Sequence, residues 1–173
     1  MPACRPSSIL RVTGASILAG SVLLLAAVVA APTVTTIQLT DGESGDTLAV
    51  YPLEEGEAFE IRYVHSFEGT PIHETYVVDE TEIVQVREAY EYHAAGLEHG
   101  RETYREENMT VSELDHELGT FSVRVAATTD QDLVVDGQER PLDSYAESGS
   151  TIQFSAERTN YVAYRLLRAA GIW

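Results

Sequence analysis

The fold is decided by residues 63–74, YVHSFEGTPIHE, which have the composition of a β-hairpin turn and its flanks. Gly69-Thr70-Pro71 supplies turn residues between two segments in which apolar and polar side chains alternate. Strict alternation places one set of side chains on each face of a sheet. The pattern therefore predicts two antiparallel strands, Ala58–Ser66 and Ile72–Asp79, joined by a short loop.

A four-residue loop at Glu68–Pro71 sets the register of this hairpin. It predicts that Phe67 pairs with Ile72 and that His65 faces Glu74, with all of these side chains on the inner face. A carboxylate beside an imidazole orients it for catalysis, metal binding or ligand binding. The same pair also satisfies two polar groups that are simply buried. Both interpretations of the predicted His65–Glu74 pair stay open.

The period-two pattern continues along the chain after residue 32. Further candidate strands are Val34–Thr40, Thr47–Pro52, Glu82–Tyr92, Thr120–Thr128, Asp132–Val135 and Thr151–Ala156. Residues 100–117 are polar and charged, and they are predicted to form a long loop with a short ordered piece. Many short strands without helical repeats indicate a mainly β fold, a single antiparallel β-sandwich or small barrel.

The N-terminal segment differs from the rest of the chain. Arg5 and Arg11 precede an uncharged run whose apolar centre is Ile17–Ala31. Basic residues before such a run and acidic residues after it are typical of an N-terminus that stays in the cytoplasm. Residues 1–31 are therefore predicted to be a signal peptide or an N-terminal membrane anchor, and residues 32–173 an extracytoplasmic β domain. The domain is expected on the extracellular face of the cell membrane, or secreted if the segment is cleaved.

The charge of the chain is strongly negative. It has 28 acidic residues and a formal net charge of −17, and its 11 basic residues are all arginine. Carboxylates in excess with no lysine resemble a halophilic protein adapted to molar salt, where charge is screened beyond ~3 Å. An acidic domain that binds cations or basic partners is the alternative. The charge argues against nucleic-acid binding, and Cys4, the only cysteine, leaves the domain without disulfides or thiolate sites.

The C-terminal tail is predicted to form a short helix. Its apolar positions fit one helical face: Val162, Ala163, Leu166, Leu167 and Ala170. Its polar positions fit the other face: Tyr161, Arg165 and Arg168. The helix either covers one end of the sheet or acts as a basic amphipathic segment, ending in Ile172-Trp173, that touches a membrane surface or a membrane partner.

The polar side chains match no established catalytic motif. Potential metal ligands are His65, Glu68, His73, Glu74, His93 and His99, but their spacing imposes no metal site. Ser66 adjoins His65 on a strand, so the two side chains diverge and a serine–histidine hydrolase is not indicated. Neither a metal nor a cofactor is expected. The open classes are a binding or accessory module, a small extracytoplasmic enzyme that uses His65 with a carboxylate, and a purely structural surface domain.

Two stretches resemble a family signature. Residues 63–74 and residues 88–97, EAYEYHAAGL, are similar to the two motifs of the bacterial and archaeal domain of unknown function numbered 1850. The second motif departs from the pattern at Ala94, where glycine is usual, and at Glu98, where proline is usual. Alanine cannot take a left-handed backbone conformation as easily as glycine does.

The resemblance implies a small membrane-anchored or secreted protein, often encoded beside TAXI-type tripartite (TRAP) transporter permeases. The expected partner is a TRAP transporter membrane subunit or its solute-binding protein, and no activity is implied. The candidate binding residues all lie in the two motifs: His65, Ser66, Glu68, Thr70, Glu74, Glu88 and Tyr90.

Overall fold

The computed structural model describes residues 32–54, 56–91 and 102–169, except for the side chain of Leu167. The predicted signal peptide or anchor at residues 1–31 lies outside these ranges. Within the described ranges, no helix is both long enough and apolar enough to span a membrane.

The described residues hold eleven strands and one α-helix, with a 3₁₀ turn at Leu142–Ser144. The strands are β1 (Thr33–Asp41), β2 (Thr47–Leu53), β3 (Ala58–Val64), β4 (Pro71–Asp79), β5 (Glu82–Glu91), β6 (Thr103–Glu106), β7 (Met109–Gly119), β8 (Phe121–Arg124), β9 (Gln131–Val135), β10 (Gln138–Pro141) and β11 (Thr151–Asn160). The helix, α1, is Tyr161–Ala169.

The strands form two antiparallel sheets. The small sheet has the order β2-β1-β11-β8, and the large sheet has the order β10-β9-β3-β4-β5-β7-β6. Over the described residues neither sheet closes on itself, because each ends in two different edge strands. The mainly β prediction is confirmed, and of its two alternatives the sandwich, with two sheets around one core, is the one that forms.

The core lies between the sheets and follows the alternation of the sequence. Ile152 and Phe154 on β11 and Phe59 and Ile61 on β3 are all buried, two residues apart in each strand. Each such side chain contributes about 1.5–3 kcal/mol when it is fully removed from water. Alternation within these strands is therefore sufficient to bring the two sheets together.

Four aromatic rings stack across this core. Phe59 lies 5.2 Å from Tyr76 within the large sheet, Tyr76 lies 4.7 Å from Phe121, and Phe121 lies 4.8 Å from Phe154 in the small sheet, measured between ring centroids. Offset stacked rings are worth about 0.5–1.5 kcal/mol per pair beyond the area they bury. The stack fixes Tyr76 in the core, and this residue also reaches the candidate site.

The first strand depends on the last one. β1 pairs with β11 along its whole length, from Thr33 opposite Asn160 to Asp41 opposite Ile152. β11 therefore extends beyond its predicted end at Ala156, because β1 offers it hydrogen-bonding partners as far as Asn160. The small sheet is built from both ends of the described chain.

The predicted loop over residues 100–117 is wrong. The chain instead forms a hairpin there, in which β6 pairs with β7 around a two-residue turn, Glu107-Asn108. Glu107 has a positive φ of 51°, which the turn requires. Alternation of apolar and polar residues is not visible in these two strands. Every residue of β6 is exposed, and β7 buries the small polar side chains of Thr110 and Ser112 on either side of Val111.

The predicted C-terminal helix forms, but it buries a different residue. The Asn160 side-chain oxygen accepts hydrogen bonds from the backbone N–H groups of Val162 and Ala163 at 3.0 and 3.3 Å, which caps the helix. Tyr164 is buried, whereas Leu166, predicted to lie on the covered face, is 63% exposed. The helix is therefore rotated so that Tyr164, rather than Leu166, is removed from solvent. Ala170, Ile172 and Trp173 lie outside the described residues.

Candidate functional site

The β3–β4 hairpin forms in a different register from the predicted one. Ile61, not His65, lies opposite Glu74, and Tyr63, not Phe67, lies opposite Ile72. The loop has the predicted length of four residues, but it occupies residues 66–69 and so starts two residues earlier. The predicted His65–Glu74 pair is therefore wrong.

The loop position follows from two backbone hydrogen bonds. The His65 N–H donates to the Thr70 carbonyl at 2.8 Å, and the Gly69 N–H donates to the His65 carbonyl at 2.8 Å. Gly69 has a positive φ of 67°, which glycine adopts without steric strain. Glycine is therefore best placed as the last loop residue, and the loop must end before Pro71. The pairing is shifted by an even number of residues, so the side chains within β3 and β4 stay on the faces that were predicted for them.

Four of the seven candidate residues lie in this loop or directly beside it: His65, Ser66, Glu68 and Thr70. The His65 imidazole turns into it, where Nδ1 accepts a hydrogen bond from the Glu68 N–H at 3.3 Å. Ser66 is exposed, and the hydroxyl of Thr70 is buried without a hydrogen-bond partner in the part of the chain that the structure describes. Phe67, predicted to face the core, is 92% exposed at the tip. The hypothesis of a small enzyme therefore has no His65–Glu74 pair to use.

The other three candidate residues lie deeper in the hairpin stem. Glu74 on β4 is directly opposite Glu88 on β5, and Ile72 is directly opposite Tyr90. Residues opposite each other in an antiparallel pair share a face, and this is the face that carries Tyr63. Glu88 is 5% exposed and Tyr90 is fully buried. Two carboxylates therefore meet on the inner face, beside a small apolar group of Ile72, Tyr90 and Tyr63.

Two tyrosine hydroxyls bind both oxygens of Glu74. Tyr63 donates to Oε1 at 3.1 Å, and Tyr76 donates to Oε2 at 2.7 Å. Burial, and then the charge of Glu74, raise the pKa of both phenols above its ordinary value. Both tyrosines therefore remain neutral hydrogen-bond donors, and a hydroxyl bound to a carboxylate gives one of the stronger hydrogen bonds in proteins.

The neighbouring strand adds two hydroxyls on the same face. Ser112 lies opposite Glu88 and Thr110 lies opposite Tyr90 in the pairing of β5 with β7. Ser112 is fully buried and Thr110 is 4% exposed, and neither hydroxyl has a hydrogen-bond partner among the described residues. A buried polar atom left unsatisfied costs roughly 1–3 kcal/mol.

We refer to this group as the acid–tyrosine cluster. Its members are Tyr63, Glu74, Tyr76, Glu88, Tyr90, Thr110 and Ser112. The cluster adjoins the aromatic stack, because Tyr76 belongs to both. Among the described residues, no three histidine or acidic side chains come close enough together to hold a metal ion.

The remaining histidine in the described part of the hairpin lies on the other face. His73 is opposite Arg62 on β3 and Ala89 on β5. Burial, and then the positive charge of Arg62, lower the pKa of its imidazole. It is separated from Glu74 by the sheet itself, as alternation predicts. His93 and His99, the other predicted ligands, lie outside the described residues.

The sequence identified seven candidate residues but not the contacts between them. The structure divides these residues into the loop group, with His65, and the stem group, with Glu74. Tyr63 and Tyr76 were recognisable from their shared stripe with Glu74, and only the register was needed to assign their roles. Thr110 and Ser112 fell in the predicted loop, so no signal marked them.

A comparison with known families matches the region that holds the candidate site. The family model described as "Domain of unknown function (DUF1850)" matches residues 59–142. Residues 59–142 form a DUF1850 domain. Searches of curated proteins and of solved structures gave no match to this chain.

The DUF1850 domain coincides with one part of the architecture. It contains the large sheet, from the second residue of β3 to the end of β10, and β8 of the small sheet. The acid–tyrosine cluster lies entirely inside it. The matched stretch leaves out β1, β2, β11 and α1, which complete the small sheet and cover one end of the domain.

Proposed function

We propose that this chain is an accessory binding component of a TAXI-type tripartite (TRAP) solute transporter, held at the outer face of the cell membrane by its N-terminal segment. The DUF1850 domain supports this proposal through the family association with TRAP permeases. The charge order of residues 1–31 supports an outward-facing domain. The partner is the membrane subunit or the solute-binding protein of the transporter.

One observation carries the binding role, which is the presentation of Phe67. A phenylalanine 92% exposed at the tip of a loop gains nothing from the fold. The loop below it is nevertheless closed by backbone hydrogen bonds and by the contact of His65 with the Glu68 N–H. Aromatic anchors that are rigidly presented dominate the energetics of protein interfaces. The loop at residues 65–70 is thus the proposed contact.

The acid–tyrosine cluster has a supporting role in this proposal. Glu74 is held by Tyr63 on β3 and by Tyr76 on β4, so it ties the two strands of the stem together. Pre-organisation of a loop lowers the entropy that binding must remove. The polar rim around Phe67, with Ser66 and Glu68, would exclude water from the contact, as rim residues do in other interfaces.

The test is a capture experiment from native membranes. The full chain carries an affinity tag and is solubilised in mild detergent at high salt, and the co-purified proteins are identified by mass spectrometry. We expect transporter subunits with the unmodified chain and at least about tenfold less of them with Phe67→Ser. Leu166→Ser is the matched control, because Leu166 is also a large apolar side chain that is exposed, at 63%.

The outcomes separate the two parts of the proposal. If the unmodified chain recovers no transporter subunit, the TRAP association is wrong. If Phe67→Ser and Leu166→Ser recover as much as the unmodified chain, the loop is not the contact. If Leu166→Ser alone reduces recovery, the contact lies on the helix.

We also propose that the domain works in a salt-rich medium. The 28 acidic residues extend over the whole domain, and none of the basic residues is lysine. Repulsion among them is screened at high ionic strength. The free energy of unfolding of the full chain should therefore rise steadily with added potassium chloride. A free energy that is flat or falls with salt would contradict this part of the proposal.

A further inference from the structure

A second candidate site lies away from the hairpin, where three elements meet. β2 of the small sheet, the β9–β10 hairpin of the large sheet and helix α1 enclose a cavity of about 350 Å³. Cavities of this size hold small organic ligands in other proteins. We call it the arginine–tyrosine cleft, and its polar side chains are Tyr51, Asp136, Arg140, Tyr145, Tyr164 and Arg168.

Arg140 is fixed in this cleft by neutral groups. It donates to the carbonyls of Val135 and Gln138 at 3.1 and 3.3 Å and to the Gln138 side-chain oxygen at 2.6 Å. Its guanidinium lies 5.0 Å from the centre of the Tyr51 ring. None of these partners carries a negative charge. The guanidinium is therefore held in one position without an ion pair to any carboxylate of the described residues.

Arg168 reaches the same cleft from the helix. Its guanidinium donates to the Tyr164 hydroxyl at 2.8 Å. A cation in the last turn of a helix is stabilised by the helix dipole, which by itself explains an arginine at this position. The dipole does not explain Arg140, which comes from β10. Two arginines from distant parts of the chain thus converge on one cavity.

The absence of carboxylate partners is unexpected in so acidic a chain. Among the described residues, the two ion pairs are Arg62 with Glu60 and Arg87 with Glu106, and neither involves the cleft arginines. Acidic residues outnumber basic ones 28 to 11 in the sequence. Asp136 lines the cleft but forms no ion pair with either arginine.

The tyrosines supply a further hydrogen-bond donor. The hydroxyls of Tyr51 and Tyr145 lie 2.6 Å apart, so one of them donates to the other. The second phenolic proton is left to donate elsewhere. Burial, and then the hydrogen bond to Tyr51, raise the pKa of Tyr145, so this phenol stays protonated. Two guanidinium groups and a phenol therefore bring N–H and O–H donors to the cleft, and neither guanidinium forms an ion pair with a carboxylate of the described residues.

We infer that the arginine–tyrosine cleft binds a small organic anion with a carboxylate group. Arginine presents paired N–H donors that match the two oxygens of a carboxylate. The lining also includes three apolar residues of β2, Leu48, Val50 and Pro52, which suit a hydrocarbon body. This combination favours an organic carboxylate over inorganic phosphate. The inference does not depend on the proposed transporter role, because most of the cleft lies outside residues 59–142.

Equilibrium dialysis with the purified full chain in detergent tests this inference. The probes are benzoate, inorganic phosphate and benzylammonium. We expect saturable binding of benzoate, weaker binding of phosphate and none of benzylammonium. Arg140→Gln and Arg168→Gln should each weaken benzoate binding at least about tenfold. Arg124→Gln removes the same charge from an exposed position on β8 and should leave binding unchanged.

Three results would overturn the inference. They are no saturable benzoate binding, equal binding of phosphate and benzoate, and equal loss of binding in Arg124→Gln and the cleft variants. Arg140 also holds the β9–β10 turn, so its replacement can perturb the fold. Arg168→Gln resolves this, since Arg168 is exposed and its described hydrogen bond is to the Tyr164 hydroxyl within the same helix. Thermal unfolding of each variant confirms that the chain is folded.

Discussion

The acid–tyrosine cluster and the arginine–tyrosine cleft use the same side chain for opposite purposes. In the cluster, Tyr63 and Tyr76 donate to a carboxylate that the fold buries. In the cleft, Tyr164 accepts from an exposed arginine, and the positive charge remains open to solvent. Burial requires charge to be satisfied internally, whereas exposure does not. The difference agrees with our proposal that the cluster stabilises the fold and that the cleft binds a ligand.

The strongest test of this contrast removes the side chain that joins the cluster to the core. Tyr76→Ala deletes a ring stacked on Phe59 and Phe121 together with one hydrogen bond to Glu74. We expect the free energy of unfolding to fall by about 3–5 kcal/mol. The measurement is urea unfolding followed by circular dichroism. Tyr145→Ala, its half-buried counterpart in the cleft, should cost less than half as much. Equal losses of stability in Tyr76→Ala and Tyr145→Ala would show that the cluster stabilises the fold no more than the cleft does.

The next largest effect is expected from the carboxylate itself. Glu74→Ala leaves the hydroxyls of Tyr63 and Tyr76 without their acceptor, which should lower the free energy of unfolding by about 2–3 kcal/mol. Glu139→Ala removes an exposed carboxylate on β10, near the cleft, and should change it by less than about 0.5 kcal/mol. The same denaturation experiment measures both variants. If both change stability equally, Glu74 does not stabilise the stem.

A smaller difference should appear at alkaline pH. The pKa values of Tyr63, Tyr76 and Tyr145 are raised above the ordinary value of 10.0. Above about pH 10 the unfolded chain therefore loses phenolic protons that the folded chain keeps, and stability falls as pH rises. The stability from these groups is fully present below that pH. The measured quantity is the slope of unfolding free energy against pH.

Phenylalanine variants assign this slope to the two regions. Tyr63→Phe with Tyr76→Phe should flatten the alkaline slope more than Tyr145→Phe does, because two raised groups are removed instead of one. A slope that is unchanged in the double variant would show that other groups cause the alkaline loss.

The smallest effect is expected from Ser112, a buried member of the acid–tyrosine cluster. Ser112→Ala removes a buried hydroxyl that has no hydrogen-bond partner, so the free energy of unfolding should rise by up to about 1 kcal/mol. Ser122→Ala, on the exposed side of β8, should change it little. Chemical denaturation of both variants provides the measurement. A clear loss of stability in Ser112→Ala would mean that this hydroxyl takes part in the cluster.

Much of the fold was predictable because alternation is a local signal. The strands at Thr47–Leu53 and Gln131–Val135 follow directly from it. β6 was not predictable, because every one of its residues is exposed and no side chain distinguishes a buried face from an exposed one. Its strand is defined only by pairing with β7, and such pairing depends on distant residues.

The candidate site was predictable in composition and face but not in register. Sequence identified Glu74 and Glu88 and placed Glu74 on the inner face correctly. The register depended on which residue ends the loop, and Gly69 and Pro71 both offered a turn signal. The positive φ of Gly69 decides between them, and backbone dihedrals are not visible in a sequence. The arginine–tyrosine cleft was not foreseen, because Tyr51 and Arg168 meet only after both sheets and the helix are assembled.

The pairing of β1 with β11 has a consequence for how the chain is made. Thr33 finds its partner, Asn160, only after nearly all the rest of the domain has been synthesised. Contacts between residues so far apart in sequence slow folding, since a long loop must be closed before they form. An emerging N-terminal part has β2 beside β1 but lacks the strand that covers its other edge. The domain therefore completes its folding only after β11, its last strand, has been synthesised.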